Sequence, residues 1–278
     1  HLEHRRQRQM CIRDRLLPIY DKPLIYYPLS VLMLAGIKNI LIIVNKGQLS
    51  QFQKILHNGK RFGVKITYAE QDRPKGLPDA FILGERFIGK DKVALILGDN
   101  FFYGQSLTKN LKECVKLNSG CKILLHPVNK PELFGVAQID SRNKIVSIKE
   151  KPKKTNSKLA ITGLYFFDNK VVQYSKSLKP SKRNELEIVD LLNKYKKKNN
   201  LKAEFLGRGG AWLDTGSIED FYNTSSFVST LENRQGFKIA CLEEIALKYN
   251  WIDKKGIQQA VKFYGNCIYS NYLKNLIK

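Results

Sequence analysis

Residues 93–100 constrain the fold of this chain more than any other stretch. Residues 93–97 are five consecutive apolar residues, a pattern typical of a strand buried on both faces at the centre of a parallel sheet. Gly98, Asp99 and Asn100 follow directly. In open α/β sheets ligands bind outside the carboxyl ends of the strands, so Asp99 is a candidate for chemistry. The alternative is a simple turn, which all three residues favour.

Strand and helix patterns alternate through the first half of the chain. We predict helices at 24–35, 50–57 and 78–87, and strands at 40–44, 64–69 and 93–97. Gly36 is expected to end the first helix, Ser50 to cap the second, and Pro78 to lie in the first turn of the third. This alternation predicts βαβ units and a parallel sheet.

The second half carries shorter strand patterns and then helices. We predict strands at 123–128, 135–139, 145–149, 159–167 and 203–206, a helix at 185–198, and mostly helix after 218. The chain is therefore predicted to be α/β, with one domain over 16–220 and a helical C-terminal appendage over 221–278. Residues 1–15 hold five of the twelve arginines, in a chain where lysine otherwise dominates. We interpret them as a non-native segment, with a basic N-terminal arm as the alternative.

The composition excludes several classes of protein. The net charge is +23, but the excess is lysine spread over the whole chain, and the dense run at 194–198 is typical of a solvated helix end. We therefore disfavour nucleic-acid binding. The five cysteines are scattered without a C-x-x-C pair, which argues against a disulfide framework or a zinc site. No apolar run approaches the ~20 residues needed to span a bilayer, so we expect a cytoplasmic protein with no membrane partner.

Three stretches could carry chemistry: 93–100, 147–152 and 210–216. Two aspartates at strand ends, Asp99 and Asp214, could converge on one Mg²⁺, which prefers one or two carboxylates together with substrate phosphate oxygens. Lys151, held by the following Pro152, could bind a phosphate as a point charge. The alternatives are a turn or helix cap at Asp214 and a solvated side chain at Lys151.

Five motifs together resemble one enzyme family. They are Leu16–Leu29, Leu97–Asn100, Glu150–Pro152, Thr162–Phe166 and Trp212–Gly216. In this order and spacing they resemble the sugar-1-phosphate nucleotidyltransferases, and within that family the short-form glucose-1-phosphate thymidylyltransferases of bacterial dTDP-sugar synthesis. The resemblance covers nearly everything from Leu16 to the C-terminus. It implies a Rossmann-like three-layer α/β fold with a mostly parallel mixed sheet.

The resemblance implies a nucleotidyl transfer. The phosphate of glucose 1-phosphate would attack the α-phosphorus of dTTP, giving dTDP-glucose and pyrophosphate for rhamnose-type polysaccharide synthesis. The implied cofactor is Mg²⁺ and the implied assembly a cytoplasmic homotetramer. Because the nucleophile is already ionised, no general base is required, and catalysis consists of positioning and charge neutralisation.

The resemblance also assigns roles to residues of this chain. Asp99 and Asp214 would hold the metal and Lys151 the sugar phosphate, as the catalytic set. The implied substrate-binding residues are Gln71, Gly76, Asp99, Gly135, Glu150, Lys151, Ile161, Thr162, Arg183 and Trp212. Gln71 and Gly76 would lie by the thymine, and Ile161 and Thr162 would act partly through backbone groups. A second nucleotide site for feedback would include Tyr103, Gly104, Glu243 and Glu244, although residues 241–246 read equally well as the first turn of a helix.

One element of the family pattern is missing. Its members open with a strand and a G-G-x-G-T-R loop whose N–H groups cradle the triphosphate. Residues 1–15 contain no glycine, so we expect the first strand and loop to be absent and turnover by this chain to be very low. Smaller departures are Pro78, Asp79 and Asn184, near the substrate side. Transfer from UTP or CTP, or a non-catalytic nucleotide-sugar-binding role, are the alternatives.

Overall fold

The central sheet has six strands, and the strand at residues 159–167 lies in its middle. The structure is a computed structural model and describes residues 14–278, so the predictions for residues 1–13 lie outside the described residues. The described strands are β1 (Pro18–Ile19), β2 (Lys22–Pro23), β3 (Asn39–Asn45), β4 (Lys65–Gln71), β5 (Val93–Ile96), β6 (Asn100–Gly104), β7 (Cys121–Pro127), β8 (Gly135–Ile139), β9 (Ile145–Glu150), β10 (Leu159–Phe167), β11 (Leu201–Phe205) and β12 (Gly210–Asp214).

The helices cover both faces of the sheet and form the C-terminal part. They are α1 (Tyr26–Leu34), α2 (Leu49–Leu56), α3 (Asp79–Leu83), α4 (Glu85–Ile88), α5 (Leu107–Val115), α6 (Lys170–Lys176), α7 (Ile188–Lys197), α8 (Ile218–Gln235), α9 (Leu242–Lys248), α10 (Lys254–Tyr264) and α11 (Ile268–Leu276). None of the helices within residues 14–278 is long and apolar enough to cross a membrane.

The central sheet is mixed. Its order is β11-β7-β10-β8-β9, and β5 pairs with the free part of β10. β10 runs antiparallel to β5, β7 and β8, whereas β11 runs parallel to β7. The α/β class with a mixed sheet is confirmed, but the parallel share is smaller than predicted. The reason is that an apolar run reports burial of both faces and carries no information on strand direction.

Two pairs of strands lie outside this sheet. β3 pairs in parallel with β4, as the βαβ prediction requires, from Asn39 opposite Lys65 to Asn45 opposite Gln71. β6 and β12 form an antiparallel ribbon. Within residues 14–278, β3 pairs with β4 alone and β5 with β10 alone, so β3 and β5 each keep one unpaired edge.

Alternate residues of the central strands pack into two different apolar clusters. On β10, Tyr165 and Phe167 pack with α6 and α7, while Leu164 and Phe166 pack with α1 and α5. Both clusters consist of side chains that are nearly inaccessible to solvent. Burial of each such side chain contributes roughly 1.5–3 kcal/mol. The result is the predicted three-layer arrangement, with the sheet between two layers of helix.

Several predicted helix ends need correction. Gly36 ends α1 as predicted, with a φ of +83° and its N–H donating to Met33 O. Ser50 does not cap α2, because the helix starts one residue earlier, after Gln48. The helix predicted over 78–87 is split at Gly84 into α3 and α4, with Pro78 just before the first turn. Gly84 has the low helix propensity that permits such a break.

Candidate active site

Two turns bring the predicted aspartates together. Asp99 lies in the turn between β5 and β6, and Asp214 is the last residue of β12. In the β6–β12 ribbon, Asp214 pairs directly with Asn100, the residue after Asp99. Thr215 closes the arrangement, since its N–H and its hydroxyl both donate to Asp99 O, over 3.0 and 2.8 Å. Asp99 therefore lies in a turn, as the alternative interpretation required, and its role in a site stays a prediction.

Asn100 holds this turn in place, and the sequence reasoning gave it no role. Its buried side chain accepts from the N–H of Gly163 at 3.0 Å and from Nε1 of Trp212 at 2.6 Å. Its amide nitrogen donates to Oδ1 of Asp99 at 2.9 Å. The same side chain thus ties together β6, β10 and β12 and fixes one oxygen of Asp99.

The two carboxylates repel each other. Burial, and next the negative charge of Asp99, raise the pKa of Asp214 to about 6. The Gly216 N–H donates to Asp214 Oδ1 over 3.0 Å and partly offsets this increase. A guanidinium nitrogen of Arg15 lies 3.4 Å from Asp99 Oδ2, with about a third of each side chain exposed.

The donor set fits Mg²⁺. Within residues 14–278 there is no group of three or more His, Cys, Asp or Glu side chains able to hold a metal ion. Asp99 and Asp214 alone supply two carboxylates, which is the number that Mg²⁺ typically takes from a protein when substrate phosphates complete its shell. A cation would also lower the repulsion that raises the pKa of Asp214. Arg15 would have to move away from Asp99 Oδ2.

Lys151 lies at the end of β9 in an unusual backbone conformation. Its φ is +41°, and its N–H donates to Phe134 O over 3.0 Å. Left-handed backbone at a lysine costs of order 1 kcal/mol and is typical of constrained functional positions. The side chain is exposed, and its positive charge acts to lower the pKa of Asp214. Lys151 is therefore close enough for its charge to act on Asp214.

A small surface beside Lys151 is formed by Gly135, Glu150 and Ile161. Gly135 lies opposite Glu150 in the β8–β9 register. A Cβ atom on Gly135 would be 3.2 Å from Oε2 of Glu150 and 3.7 Å from Cδ1 of Ile161, so a side chain here would press on the Glu150 carboxylate. Burial raises the pKa of Glu150, and the nearby charge of Glu187 adds to the increase.

Arg183 reaches the same surface in a paired state. Its guanidinium donates to both carboxylate oxygens of Glu187, at 3.2 and 2.8 Å, and this bond raises the pKa of Arg183. Arg183 also acts to lower the pKa of Glu150. Glu187, to which the sequence reasoning gave no role, is a further candidate residue at this surface. Residues 183–187 precede α7, so no helical spacing pointed to this pair.

The residues predicted near the base lie at the end of β4 and on the loop that follows it. Gln71, at the end of β4, donates from Nε2 to Oδ1 of Asn45 over 2.9 Å. Gly76 has a φ of +98° and lies directly against the backbone of Leu186, whose N–H donates to Lys75 O over 2.7 Å. These contacts place Gly76 beside the segment that carries Arg183 and Glu187.

Thr162 and Trp212 face the interior. The hydroxyl of Thr162 donates to Leu124 O over 3.1 Å, and the side chain is fully buried. The whole residue, backbone included, is inaccessible in this conformation, so its predicted contact with the hexose stays a prediction. The register between β10 and β7 shifts between Ile161 and Tyr165, which releases backbone groups at this point. Trp212 packs against Phe134 at 5.1 Å between ring centroids.

The four residues predicted for a second nucleotide site lie in two different clusters. Tyr103 packs on Phe227 in the β6–α8 region, and Gly104 lies opposite Gly210 on β12. Both oxygens of Glu243 accept from tyrosine hydroxyls of the C-terminal helices, and its side chain is inaccessible to solvent. Glu244 likewise accepts from Tyr272. Glu243 thus serves helix packing in this conformation.

Comparison with known proteins identifies the family. The family model described as nucleotidyl transferase matches residues 10–230. The chain belongs to this family. A glucose-1-phosphate thymidylyltransferase of Neisseria meningitidis serogroup A is 47% identical over 267 residues, which cover 96% of this chain and 93% of that protein. One from Mycobacterium tuberculosis is 42% identical, over 97% and 93% of the two chains.

Solved structures of nucleotidyl transferases show the same fold. A Bacillus anthracis protein named as a glucose-1-phosphate thymidylyltransferase, in complex with sucrose, has a TM-score of 0.71 and 38% identity. The match covers 77% of this chain and 85% of that one. A UDP-glucose pyrophosphorylase complexed with UDP-glucose has a TM-score of 0.68 at 25% identity, over 78% and 90% of the two chains.

Proposed function

We propose that this nucleotidyl transferase joins dTTP and glucose 1-phosphate to give dTDP-glucose and pyrophosphate. The observation that carries the proposal is the pair Asp99 and Asp214, held together beside Lys151 in a chain 47% identical to a named glucose-1-phosphate thymidylyltransferase. Two carboxylates and a lysine suit a reaction in which every reactant is a phosphate anion.

Each residue of the site has a simple task in this reaction. Lys151 binds the phosphate group of glucose 1-phosphate. This phosphate group both anchors the substrate and acts as the nucleophile. Glu150, beside Gly135, accepts hydrogen bonds from sugar hydroxyls, and Arg183 adds positive charge nearby. Gln71, at the end of β4, and Gly76, on the loop after it, would contact the base. Tight positioning of this kind replaces a general base, because the attacking oxygen carries no proton at neutral pH.

Asp99 and Asp214 would hold Mg²⁺, which neutralises the charge that develops on the phosphate oxygens. Asn100 and Thr215 orient Asp99 for this purpose through the hydrogen bonds already described. The further proposals are that the protein acts in the cytoplasm, that it assembles as a homotetramer, and that its product serves deoxysugar and polysaccharide synthesis.

We further propose that turnover by the present sequence is low. Residues 1–15 contain no glycine. A glycine-rich loop supplies several N–H donors to a triphosphate, and loss of one such transition-state contact commonly costs about 10²–10³ in rate.

Transfer from UTP is the second candidate. The observation that favours it is the shared fold with a UDP-glucose pyrophosphorylase in complex with UDP-glucose. Discrimination between uracil and thymine depends on one methyl group, for which a binding site gains only about 1–3 kcal/mol.

The experiment measures pyrophosphate release from dTTP, UTP, CTP and GTP, each mixed with glucose 1-phosphate. It uses the full chain and a version in which residues 1–15 are replaced by a strand and glycine-rich loop. We expect dTTP to be preferred and the second version to be at least about 10²-fold faster. Asp214→Asn should abolish release, whereas Asp190→Asn, the same change on the exposed face of α7, should not. Preference for another triphosphate, or activity in Asp214→Asn, would contradict the proposal.

A further inference from the structure

A cavity of about 180 Å³, here called the hairpin pocket, lies on one face of the β8–β9 hairpin. Its lining comes from three segments: Val136 and Gln138 of β8, Ser147 and Lys149 of β9, and residues 154–156 of the loop that follows. At about 30 Å³ per water molecule, the hairpin pocket has room for about six waters or for one small polar ligand.

The hairpin pocket lies on the opposite face of the hairpin from Gly135 and Glu150. In the antiparallel register Val136 pairs with Lys149, so both side chains lie on the face that lines the pocket. Gly135 pairs with Glu150, and because successive residues of a strand point to opposite faces, this pair lies on the other face. The two strands therefore separate a ligand in the hairpin pocket from the surface beside Lys151.

Hydrogen bonds hold the loop that contributes to the hairpin pocket. The Ser157 hydroxyl donates to Ala137 O over 2.7 Å and ties the loop to β8. The Ser157 N–H donates to Thr155 Oγ1 over 3.1 Å, and the Leu159 N–H donates to Ser157 Oγ over 3.2 Å. Because these bonds fix the loop before a ligand binds, less conformational entropy is lost on binding.

The hairpin pocket carries positive charge without a counter-charge. Lys149 and Lys154 line it, and neither forms an ion pair with another residue of 14–278. None of the described residues that line it is acidic. The surrounding stretch 149–158 holds five lysines and one acidic residue, Glu150, which lies on the opposite face. A concave surface with charge of one sign attracts small ions of the opposite sign.

Uncharged hydrogen-bond donors complete the lining. The Ser147 hydroxyl donates to Gln138 Oε1 over 3.2 Å, which leaves the amide nitrogen of Gln138 available to donate to a ligand. Thr155 and Asn156 add a hydroxyl and a second amide. Lysine binds phosphate as a point charge, and the described lining residues include no arginine, whose planar fork suits carboxylates. The donor set therefore favours a phosphate-type anion with several oxygens.

We propose that the hairpin pocket binds a small phosphoryl anion, inorganic phosphate or pyrophosphate, at a site separate from the aspartate pair. Its volume of about 180 Å³ is below the roughly 300–1,000 Å³ of sites for larger organic ligands, so a sugar phosphate is excluded. Lys154 lies on the loop that starts after Lys151, so a bound anion restrains the segment that leads away from the candidate active site. The binding itself does not depend on the proposed reaction.

The test is a calorimetric titration of the full chain with sodium phosphate, sodium pyrophosphate and glucose 1-phosphate, in EDTA at neutral pH. Sodium chloride at about 150 mM shortens the Debye length to about 8 Å and so limits general attraction by the net charge of +23. We expect phosphate or pyrophosphate to bind at one site per chain with a Kd below about 1 mM. Amide exchange of residues 153–157 should slow when the anion is bound.

Matched variants locate the site. Lys149→Gln and Lys154→Gln, both at exposed positions, should each weaken binding by about tenfold or more. Lys144→Gln, at an exposed position in the connection between β8 and β9, and Lys151→Gln should leave the affinity unchanged.

Three results would overturn the proposal. Loss of binding in Lys151→Gln would assign the anion to the candidate active site. Equal weakening in Lys144→Gln, or the lack of saturable binding by both inorganic anions, would leave only general attraction to a basic surface. Binding of glucose 1-phosphate that depends on Lys154 to the same extent would contradict the restriction to small anions.

Discussion

The protein contains two groups of carboxylates that differ in how far neighbouring lysines and arginines neutralise their charge. At the site, Asp99 and Asp214 repel each other, and the pKa of Asp214 rises to about 6 through burial and the charge of Asp99. In the second group, here called the inner ion cluster, Asp21 and Glu232 are surrounded by Lys22 and Lys238.

The inner ion cluster is internally complete. Glu232 accepts from Lys22 at 2.7 Å, from Lys238 at 2.6 Å and from the Ile239 N–H at 2.8 Å, and its side chain is 1% exposed. Burial acts to raise the pKa of Asp21, but the two lysines overcome it and the pKa is lowered. The cluster joins the β1–β2 turn to α8.

The inner ion cluster and the aspartate pair differ in how their charge is neutralised and therefore in what each requires. Two negative and two positive charges make the inner ion cluster neutral, so it needs nothing from outside. The cations beside the aspartate pair are the partly exposed Arg15 and the exposed Lys151, whose charges solvent screens, and the pKa of Asp214 stays raised. A carboxylate pair whose neighbouring cations are screened by solvent is one that an external cation can stabilise.

The largest effect is expected on stability. Glu232→Gln leaves two buried lysines short of a counter-charge and should lower the free energy of unfolding by about 3–5 kcal/mol. Asp214→Asn removes repulsion and should leave the free energy of unfolding unchanged or raise it. Urea unfolding in EDTA measures both. A larger loss in Asp214→Asn than in Glu232→Gln would break the comparison.

The next effect is a pH dependence. The pKa of Asp214 is raised from 3.8 to about 6, so the folded state holds its proton more tightly than the unfolded chain. This contribution to stability is present below pH 3.8 and is lost as the pH rises through 6, by about 2–3 kcal/mol.

The measurement is the unfolding free energy of the wild type minus that of Asp214→Asn, in EDTA, from pH 4 to 7. We expect this difference to fall with rising pH. A difference that rises or stays constant would contradict the repulsion between the two aspartates.

Asn100 links the aspartate pair to the sheet. Asn100→Ala leaves the buried donors of Gly163 and Trp212 without their acceptor and should cost about 1–3 kcal/mol. Asn156→Ala, on an exposed loop, is the matched control and should change little. Urea unfolding of the two variants gives the result, and equal stability would remove the positioning role of Asn100.

Substitution of Arg15 is expected to have the smallest effect, on the affinity for a divalent cation. Its partly exposed contact with Asp99 is worth about 0.2–1 kcal/mol. Arg15→Ala should therefore tighten binding of a divalent cation by up to about fivefold. Arg86→Ala, which removes the same charge from the exposed surface of α4, controls for net charge. Weaker cation binding in Arg15→Ala would show that Arg15 supports the site instead of competing with the cation.

The sequence predicted those features that depend on neighbouring residues. The apolar runs located β5 and β10 as strands, but only β10 is buried on both faces; β5 is half-buried within residues 14–278, so its prediction as a fully buried central strand was wrong. The glycine and aspartate after β5 pointed to the edge that carries the candidate site. Strand direction was less accessible, because β10 shows the same apolar run whichever way its neighbours run. Ser50 has the chemistry of a cap, but the helix starts one residue before it.

Long-range contacts explain what the sequence did not show. Asn100 bonds to Gly163 and Trp212, which lie 63 and 112 residues away. Lys22 pairs with Glu232 across 210 residues. The local sequence around each of these residues gives no sign of its distant partner. Only the folded chain shows which carboxylates are neutralised and which are not.

Manganese binding to the aspartate pair tests the proposed site most directly. Mn²⁺ substitutes for Mg²⁺ and its binding is read by electron paramagnetic resonance on the full chain at pH 7.5, without nucleotide. We expect one site that Asp99→Asn or Asp214→Asn weakens at least tenfold, whereas Asp190→Asn leaves the affinity unchanged. Equal affinity in the wild type and Asp214→Asn, or loss in Asp190→Asn alone, would contradict the assignment of Asp99 and Asp214 to the cation.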